Sequence, residues 1–408
     1  MDRCLEVLSP AGDRDRMNMA IRYGADAVYL AGKSFGMRSA AGNFDNDELR
    51  DAIRYAHDNS VKVYVTCNTV PRQDEALQIP EFLETLESVH ADGVIVTDIG
   101  VMAMCRKYCP NVEIHVSTQA GVMNSETAKA FYDLGAKRAV LAREMTLKEI
   151  EKMRNEIPQD MDIEAFCHGA MCMSFSGRCL LSNYLTGRDA NRGECAQPCR
   201  WRYYLVEEKR PGEYMEISED GGTFILNSRD MCMIDHVKEM YDAGISSIKI
   251  EGRTKSSYYV ASVTAAYRHA VDAAMRGEEL SDIWKQEVGK VSHREYSTGF
   301  YFGYPGQYTK NSEYISTFDV IAVVDSCDEG GNAVMHQRNR FFPEDEVELL
   351  MPDHDPVSFV IGEMLDAEGN AVEAARHADM ELHVKLPVRA SQGSFLRKRR
   401  EEGDLIRG

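Results

Sequence analysis

Apolar and polar residues in the first two-thirds of the chain repeat in a fixed order: an amphipathic helix, a break containing glycine, and a short apolar strand. Break and strand together read YGADAVYL (23–30), HADGVIVT (90–97), LGAKRAVL (134–141) and AGISSIKI (243–250). In the segment 79–89, apolar side chains recur at positions i, i+3, i+4 and i+7, the spacing of a helix with one buried face. Helices that alternate with strands in this way predict an α/β fold with a parallel sheet.

The predicted strands are mostly continuous runs of Val, Ile, Leu and Tyr. Such runs are typical of strands that helices cover on one face and a barrel core covers on the other. Eight β/α units of this kind predict a TIM-type (β/α)8-like barrel, and an open doubly wound sheet is the alternative. The eight strands are predicted at 5–8, 27–30, 61–66, 93–96, 113–116, 138–141, 163–166 and 247–250.

One connection of the predicted barrel is long, because about 80 residues separate the seventh strand from the eighth. Insertions at the carboxyl ends of barrel strands are where function is usually built. The strand ends also supply polar side chains that would converge on the same mouth of the barrel. The alternative is that most of them cap helices and bind water. These residues are Ser9, Asn68, Asp98, Ser117, Arg143, His168, Glu251 and Arg253.

The predicted domains are a barrel over 1–277 that contains a cysteine-rich insertion (167–246), a linker over 278–315, and a small β domain over 316–408. A long helix is predicted at 258–275. Short alternating strands, separated in places by the turn signals EGGN and AEGN, predict a small β-barrel or sandwich in the last part. Those strands lie at 320–324, 333–337, 346–350, 357–361 and 382–385.

Composition and charge restrict the function classes. With 44% apolar and 28% charged residues, the chain is globular, and the absence of a long apolar run excludes a transmembrane helix. The amino-terminal MDRCLEVLSPAG has no signal-peptide pattern, so a cytoplasmic location is expected. A net charge of −19 excludes a protein that binds nucleic acid through its overall charge. Residues 167–210 and 397–400 are nevertheless locally basic, as a basic groove or as a solvated surface.

Four of the eleven cysteines follow a spacing that indicates a site. Cys172, Cys179, Cys195 and Cys199 are arranged as C-x6-C-x15-C-x3-C. Four thiolates at one point need a metal to offset their charge, which points to a zinc site or an iron–sulfur cluster. Structural zinc usually takes C-x2-C pairs, which this chain lacks, whereas wider spacings suit the separated irons of a larger cluster. Buried cysteines without any metal are the third alternative.

A second, weaker pattern is a nucleophile elbow. GKSFG (32–36) fits G-x-S-x-G and follows a predicted strand, but the sequence after it is not helical and no triad order is evident. A hydrolase that uses Ser34 and His168 therefore stays a competing hypothesis.

Several segments together resemble the collagenase-like peptidase family U32. The most specific is EAFCHGAMCMSFSGRCLLS (164–182). The segments LSPAGD (8–13), YGADAVYLAGKSFGMRSAAGNF (23–44), HVSTQAGV (115–122) and IKIEGRTKSSYYVA (248–261) are similar to it as well. The resemblance covers nearly the whole chain.

Within that family, RDANRGECAQPCRW (188–201) resembles the branch implicated in 5-hydroxylation of the wobble uridine of tRNA. Sister branches hydroxylate a cytidine of 23S ribosomal RNA or take part in oxygen-independent ubiquinone synthesis. The resemblance implies a 4Fe-4S protein that installs a hydroxyl group without molecular oxygen, with prephenate as a required metabolite. It implies Cys172, Cys179, Cys195 and Cys199 as cluster ligands, with Cys232 as an alternative for one of them.

The remaining roles are assigned as hypotheses. We expect His168 to transfer a proton, and Glu251 and Arg253 to position the substrate. Bidentate hydrogen bonds from nearby arginines would hold phosphates or a dicarboxylate such as prephenate, unless these arginines form surface ion pairs. The expected partners are tRNA or rRNA, with no membrane and with a second subunit of the same family as a candidate. A non-catalytic, cluster-bearing partner protein is the third function class. The arginines are Arg178, Arg188, Arg200 and Arg202.

Overall fold

A computed structural model describes most of the chain. The described residues are 4–37, 41–172, 174–175, 179–190, 193–201, 205–206, 214–215, 228–306, 314–352, 354–401 and 406–407.

The amino-terminal part is a closed barrel of eight parallel strands, β1 to β7 and β11. Each of β1 to β6 pairs in parallel with the next strand, and β11 closes the barrel by pairing in parallel with both β7 and β1. The predicted barrel is therefore confirmed, and all eight predicted strands exist. The barrel strands are β1 (Glu6–Pro10), β2 (Ala27–Ala31), β3 (Lys62–Cys67), β4 (Gly93–Val96), β5 (Glu113–Val116), β6 (Ala136–Val140), β7 (Asp162–Ala170) and β11 (Ser247–Ile250). Four short strands lie outside the barrel: β8 (Leu205–Val206), β9 (Tyr214–Met215), β10 (Asp230–Cys232) and β12 (Tyr296–Ser297).

Helices surround the barrel and begin where the sequence supplies caps. Asp45 and Glu48 form a capping box at one helix start, and Thr146 and Glu149 form another. In the described chain the helices are α1 (Arg14–Arg22), α2 (Asn46–Asp58), α3 (Gln73–Ala76), α4 (Ile79–Ser88), α5 (Ile99–Tyr108), α6 (Ser125–Asp133), α7 (Leu147–Glu156), α8 (Leu181–Thr186), α9 (Val237–Asp242), α10 (Ser257–Arg276) and α11 (Asp282–Glu287), with short 3-10 turns at Thr118–Ala120, Pro198–Arg200 and Ile234–His236.

Charged side chains lie inside the barrel below its mouth. The Lys249 Nζ is 2.6 Å from Glu164 Oε1, and the Arg138 Nη1 is 2.6 Å from Glu6 Oε1. Burial alone would raise the pKa of Glu164, but Lys249 and Arg138 hold it below its ordinary value. The interior is thus an ion network, because buried charges must be paired.

The segment 278–315, predicted as a linker, packs on the barrel in its described part. Helix α11 lies against α10, and Trp284, Val288 and Tyr301 are buried in the core that the barrel and its helices share. Strand β12 extends the barrel sheet by pairing with β10, which in turn pairs antiparallel with the end of β7.

The carboxyl-terminal part is a seven-stranded antiparallel sheet that forms a half-barrel, in the order β17-β16-β20-β14-β15-β19-β18. It has its own core, which includes Ile321, Met335, Phe341 and Leu396. The predicted β module is confirmed, and β18 and β20 are additional to the predicted strands. The seven strands are β14 (Phe318–Cys327), β15 (Asn332–Gln337), β16 (Glu346–Leu350), β17 (Val357–Val360), β18 (Met364–Leu365), β19 (Glu381–Lys385) and β20 (Phe395–Arg399). Two further strands, β13 (Tyr314–Ile315) and β21 (Ile406–Arg407), pair antiparallel with each other in a separate two-stranded sheet.

A buried arginine joins the two parts. Arg397, on β20, donates to both carboxylate oxygens of Glu287 at 2.5 and 2.7 Å and to the Tyr258 hydroxyl at 2.9 Å. It also bonds Glu348, and its side chain is fully buried. The interpretation of 397–400 as a basic groove or a solvated surface is therefore wrong at Arg397, because β20 directs this side chain inward, to the contact between the two parts.

No helix in the described ranges combines the length and the apolar character that crossing a lipid bilayer requires.

Candidate functional site

The cysteine motif lies at the carboxyl end of β7, in the insertion above the barrel mouth. Cys172 follows β7 by two residues and is exposed, as is Cys195, whereas Cys179 and Cys199 are partly buried. All four are free thiols. The backbone N–H of Gln197 points at the Cys195 sulfur, with 3.4 Å between nitrogen and sulfur. Cys172 and Cys195 are therefore open to solvent, and Cys179 and Cys199 are partly so.

One buried serine ties the parts of the insertion together. The Ser182 hydroxyl, on α8, donates to the Arg188 carbonyl at 2.8 Å and accepts from the Ala196 N–H at 2.9 Å. Helix α8 also packs against the 3-10 turn that contains Cys199. The loop that carries Cys195 and Cys199 is thus fixed to a helix.

The pKa of Cys199 responds to the other three cysteines of the motif. Burial raises the pKa of the Cys199 thiol, and the positive charge of Arg200 lowers it. The other three cysteines of the motif raise it further, because like charges nearby disfavour a thiolate. If all four were ionised, a shared metal ion or cluster would offset their charge.

The donor set fits an iron–sulfur cluster. Four cysteine thiolates are the usual ligands of a 4Fe-4S cluster. Within the described ranges, no group of three or more His, Cys, Asp or Glu side chains could hold a single metal ion. A cluster has its irons at separate corners, so its ligand sulfurs stand farther apart than those around one zinc ion. The cluster and its four ligands stay a prediction.

Four of the eight strand-end residues serve the scaffold. Asp98 and Ser117 accept backbone N–H groups at the starts of α5 and of the following 3-10 turn, at 3.0 and 3.4 Å. Ser9 is buried, and its hydroxyl lies 2.8 Å from that of a threonine of α10. Asn68 accepts a backbone N–H of the loop after β2 at 3.3 Å.

Arg143 and Glu251 form an ion pair beside the end of β7. The Arg143 Nη2 lies 3.6 Å from Glu251 Oε2, and its Nη1 donates to the Ala170 carbonyl at 2.9 Å. The guanidinium also stacks over the Phe166 ring, 3.9 Å from its centroid. Both charged side chains are mostly enclosed, at 12% and 17% exposure, so the pair is preorganised next to the cysteine motif. Arg253, two residues after Glu251 in the chain, is also buried, at 3% exposure.

His168 is enclosed between tyrosines. Its Nδ1 lies 3.4 Å from the Tyr267 hydroxyl and its Nε2 lies 3.3 Å from the Tyr296 hydroxyl. Burial, with smaller effects of His293 and Lys255, lowers the pKa of His168 to about 3. The imidazole is therefore neutral at physiological pH, which favours a positioning role. Proton transfer by His168 stays a prediction.

Ser34 lies apart from this site. It is exposed and lines a cavity of about 410 Å3 with Lys33, Asp45 and Phe82 among its neighbours. No histidine is among the described residues that line this cavity. A serine without a base in reach is a weak nucleophile.

Sequence reasoning missed Lys255, Asp230 and Arg294, which lie near the mouth. For Lys255 the sequence did contain an indication, because this residue falls within the segment 248–261 that resembles the family. Of the predicted arginines, Arg188 is exposed and Arg200 donates to the Met171 carbonyl at 3.0 Å. Arg178 and Arg202 lie outside the described residues.

Fold and site together define a class: a (β/α)8-barrel protein with a thiol-rich insertion at its mouth and an antiparallel carboxyl-terminal domain. The chain belongs to peptidase family U32. The model of that family matches residues 12–311, and the model of the peptidase family U32 C-terminal domain matches residues 316–397. The resemblance found in the sequence is thus confirmed.

Three curated relatives show what the chain is similar to. It is 36% identical to tRNA hydroxylation protein P1 of Bacillus subtilis (strain 168), over 96% of this chain and 94% of that protein. It is 34% identical to tRNA hydroxylation protein P of Escherichia coli (strain K12), over 96% of this chain and 98% of that protein. It is also 37% identical to the 23S rRNA 5-hydroxycytidine C2501 synthase of Escherichia coli (strain K12), over 71% of this chain and 42% of that protein.

Proposed function

We propose that the protein is an RNA-modifying hydroxylase that converts the wobble uridine of tRNA to 5-hydroxyuridine without molecular oxygen. The observation that carries the proposal is that Cys172, Cys179 and Cys195, which follow the end of β7, all affect the pKa of Cys199. The chain also matches two tRNA hydroxylation proteins over nearly its whole length, and an rRNA hydroxycytidine synthase in part. Hydroxylation of a 23S rRNA cytidine is the alternative substrate.

In this proposal Cys172, Cys179, Cys195 and Cys199 hold a 4Fe-4S cluster. When bound, such a cluster supplies one-electron redox chemistry or polarises an oxygen donor. Cys232 fits the fourth ligand less well, because burial raises the pKa of its thiol to about 11. No cysteine of the motif affects the pKa of Cys232, whereas the pKa of Cys199 is affected by Cys172, Cys179 and Cys195.

The chain's own side chains would bind and orient the reactants. Glu251, fixed by Arg143, offers a carboxylate to a base edge or hydroxyl at the mouth. Arg188 and Arg200 offer guanidinium groups to RNA phosphates or to a dicarboxylate such as prephenate. His168 holds the tyrosines behind the site in place. Arg253 would position the substrate from the loop after β11.

The proposal is tested by measuring two quantities together: the modified nucleosides of cellular RNA and the iron and sulfide content of the protein. A strain lacking the protein is complemented with wild type, Cys172→Ala, Cys199→Ala or the control Cys327→Ala, whose cysteine lies on β14. Nucleosides of tRNA and rRNA are then quantified by mass spectrometry, and iron and sulfide are measured in protein purified without oxygen. We expect the two motif variants to lose 5-hydroxyuridine and most iron, and the control to keep both.

Two outcomes would end the proposal. One is wild-type protein without iron and sulfide whose Cys172→Ala variant still restores the modification. The other is normal tRNA and rRNA nucleosides in the strain that lacks the protein.

The family name suggests peptidase activity as a second reading, but the surroundings of Ser34 do not favour it. Cleavage of denatured collagen that is lost in Ser34→Ala would be required to revive it.

A further inference from the structure

The loop after β12 carries two aromatic side chains that face solvent. Its sequence is TGFYFGY (298–304). Phe302 and Tyr304 are 57% and 74% exposed, whereas Tyr301, next to Phe302, is 4% exposed. Exposed aromatic rings forgo the burial that stabilises a fold, and in other proteins such rings dominate the energetics of interfaces. We call Phe302 and Tyr304 the aromatic pair.

Tyr301 fixes this loop at the mouth of the barrel. Its hydroxyl donates to the Phe166 carbonyl at 2.6 Å, and its own carbonyl accepts the Leu147 N–H at 3.1 Å. Phe166 lies beyond the part of β7 that pairs with β6, and Leu147 is the first residue of α7, the helix that follows β6. Because both positions are on the carboxyl side of their strands, the loop lies over the mouth.

The same loop borders the cysteine motif. At Gly299 the backbone has a φ of +58°, and a Cβ placed there would stand 2.6 Å from the Met231 Cε and 3.8 Å from the Met171 Cε. Both methionine side chains therefore pack against the glycine. Met171 immediately precedes Cys172 in the chain. The loop that carries the aromatic pair thus runs beside the first cysteine of the motif.

Each ring of the aromatic pair is supported on one side. The Phe302 ring packs against the His236 imidazole, with 4.7 Å between centroids and 58° between planes. The Tyr304 ring meets the Phe300 ring edge-on, with 6.0 Å between centroids. The Gly303 N–H, between the two, donates to the Phe300 carbonyl at 3.0 Å in a tight turn. A partner would meet rings that are already placed, so that little side-chain freedom is lost on binding.

Unpaired nucleic-acid bases suit these two rings. Every base has a flat face that stacks on an aromatic ring, whatever the sequence. Most proteins also hold nucleic acid through an excess of positive charge, which this chain lacks with its net charge of −19. Uncharged contacts to the bases are therefore the contacts through which this chain can hold a single strand.

An apolar protein surface fits the aromatic pair less well. Charged residues are depleted at the centre of protein–protein interfaces. Here the exposed Lys148 directly follows Leu147, whose N–H is bonded to the loop. The carboxylate of the next residue, Glu149, accepts hydrogen bonds from Thr146 at 2.7 and 2.8 Å and so is turned away. A cation beside exposed rings suits a single strand, since it meets a phosphate while the rings meet bases.

We propose that Phe302 and Tyr304 form a stacking platform for unpaired bases of an RNA loop. This inference rests on the proposed function and deepens it, because it assigns the place where nucleotides next to the modified base are held. The platform holds the loop without reading its sequence, since stacking on a ring does not depend on the identity of the base.

Binding is measured without turnover, by fluorescence anisotropy at physiological ionic strength. The probes are a labelled anticodon stem-loop RNA and a fully paired RNA duplex of equal length. Full-length protein, purified without oxygen, carries Phe302→Leu, Tyr304→Leu, Phe302→Trp or the control Tyr108→Leu. Leucine keeps apolar bulk and removes the ring, whereas tryptophan keeps a ring. Tyr108 is the last residue of α5, which places it at the opposite end of the barrel.

We expect the affinity for the stem-loop to fall about tenfold in Phe302→Leu and in Tyr304→Leu. It should stay within about twofold of wild type in Phe302→Trp and in the control. Binding of the duplex should be weak and alike in all these proteins, because paired bases offer no free face. Melting followed by circular dichroism should be unchanged, since both rings are exposed.

Separate outcomes address the platform and the reaction. Equal affinity of the leucine variants and wild type for the stem-loop would overturn the platform and leave an apolar protein surface as the occupant. Equal weakening of stem-loop and duplex binding would overturn it as well. Ring-dependent binding by protein without iron, with normal nucleosides in the strain that lacks it, would uphold the platform and end the proposed reaction. Ring-independent binding, with loss of 5-hydroxyuridine in Cys172→Ala, would end only the platform.

Discussion

At the scale of single residues, the sequence indicates candidate ligands more readily than it indicates their surroundings. Cys172, Cys179, Cys195 and Cys199 could be selected because their spacing is local and their chemistry is rare. Lys255 and Arg294 could not, because they come from segments 39 residues apart that only the tertiary fold brings to the ring of Tyr314. A lone cation in a sequence is usually a solvated one.

His168 shows why a residue type alone does not define a role. A histidine at the carboxyl end of a barrel strand suggests proton transfer, yet the structure encloses this one at 1% exposure. Its surroundings, three tyrosines within 5.2 to 6.0 Å between ring centroids, come from α10 and β12 and are not apparent near β7. The enclosure predicts a measurable effect of pH.

The stability of the folded chain should fall with acid partly through His168. Burial holds the pKa of His168 at about 3 in the folded state against an ordinary 6.5, so the unfolded chain binds the proton more readily. This stability is present above pH 6.5 and is lost as the pH falls from there towards about 3. At pH 5 the loss from this residue is about 2 kcal/mol.

The measurement compares urea unfolding at pH 7 and pH 5 for wild type, His168→Gln and the exposed control His377→Gln. We expect the pH dependence of the unfolding free energy to be smaller in His168→Gln by about 2 kcal/mol and unchanged in the control. An equal dependence in all three proteins would mean that His168 titrates normally.

At the scale of elements, the barrel strands are predictable because each is a short apolar run between a helix end and a polar mouth. Strand β20 was missed since four consecutive cations (397–400) hide its period of two. In the structure Lys398 pairs with Asp345, just before β16, and Arg400 pairs with Asp319 on β14, so both charges are satisfied. The segment 278–315 was predicted as a linker because its polar, aromatic and glycine residues follow no regular period, although in its described part Trp284, Val288 and Tyr301 are buried.

Helix α8 is the element on which the proposed cluster depends, and Ser182 is its anchor. Replacing Ser182 with alanine removes the hydroxyl that bonds the loop of Cys195 and Cys199 at both Arg188 and Ala196. We expect Ser182→Ala to lose iron in air severalfold faster than wild type, because the ligand loop is freed. The melting temperature of the barrel should change little, since α8 lies outside the main core.

The matched control is Ser88→Ala, whose hydroxyl bonds a carbonyl in the last turn of α4. Iron release is followed by the loss of visible absorbance, and melting by circular dichroism. Identical rates of iron release in Ser182→Ala and Ser88→Ala would show that α8 does not hold the ligand loop.

At the scale of the whole molecule, two separate cores are joined by a charged contact. Burial alone would raise the pKa of Glu287, but Arg397 holds it below its ordinary value, so the pair stays ionised at the interface. Lys290 adds a second link, 2.8 Å from Glu348 on β16. This arrangement was not predictable, because its members lie on α11, β16 and β20, far apart in the chain.

Arg397 should therefore couple the unfolding of the carboxyl-terminal half-barrel to that of the barrel. Arg397→Met leaves the fully buried Glu287 with Lys290, 3.3 Å away, as its remaining cation, and removing one member of a buried ion pair typically costs about 3–5 kcal/mol. We expect calorimetry to show a lower melting temperature and two separated transitions. Lys398→Met, which removes a partly exposed charge next to Arg397, should lower stability by less than about 1 kcal/mol. The double variant Arg397→Met, Glu287→Gln should recover part of the loss, because it removes the buried charge that Arg397 had balanced.

If Arg397→Met and Lys398→Met melt alike in one transition, the ion pair does not hold the two parts together. Their apolar contacts, such as those of Phe395 with Tyr23 and Tyr258, would then do so.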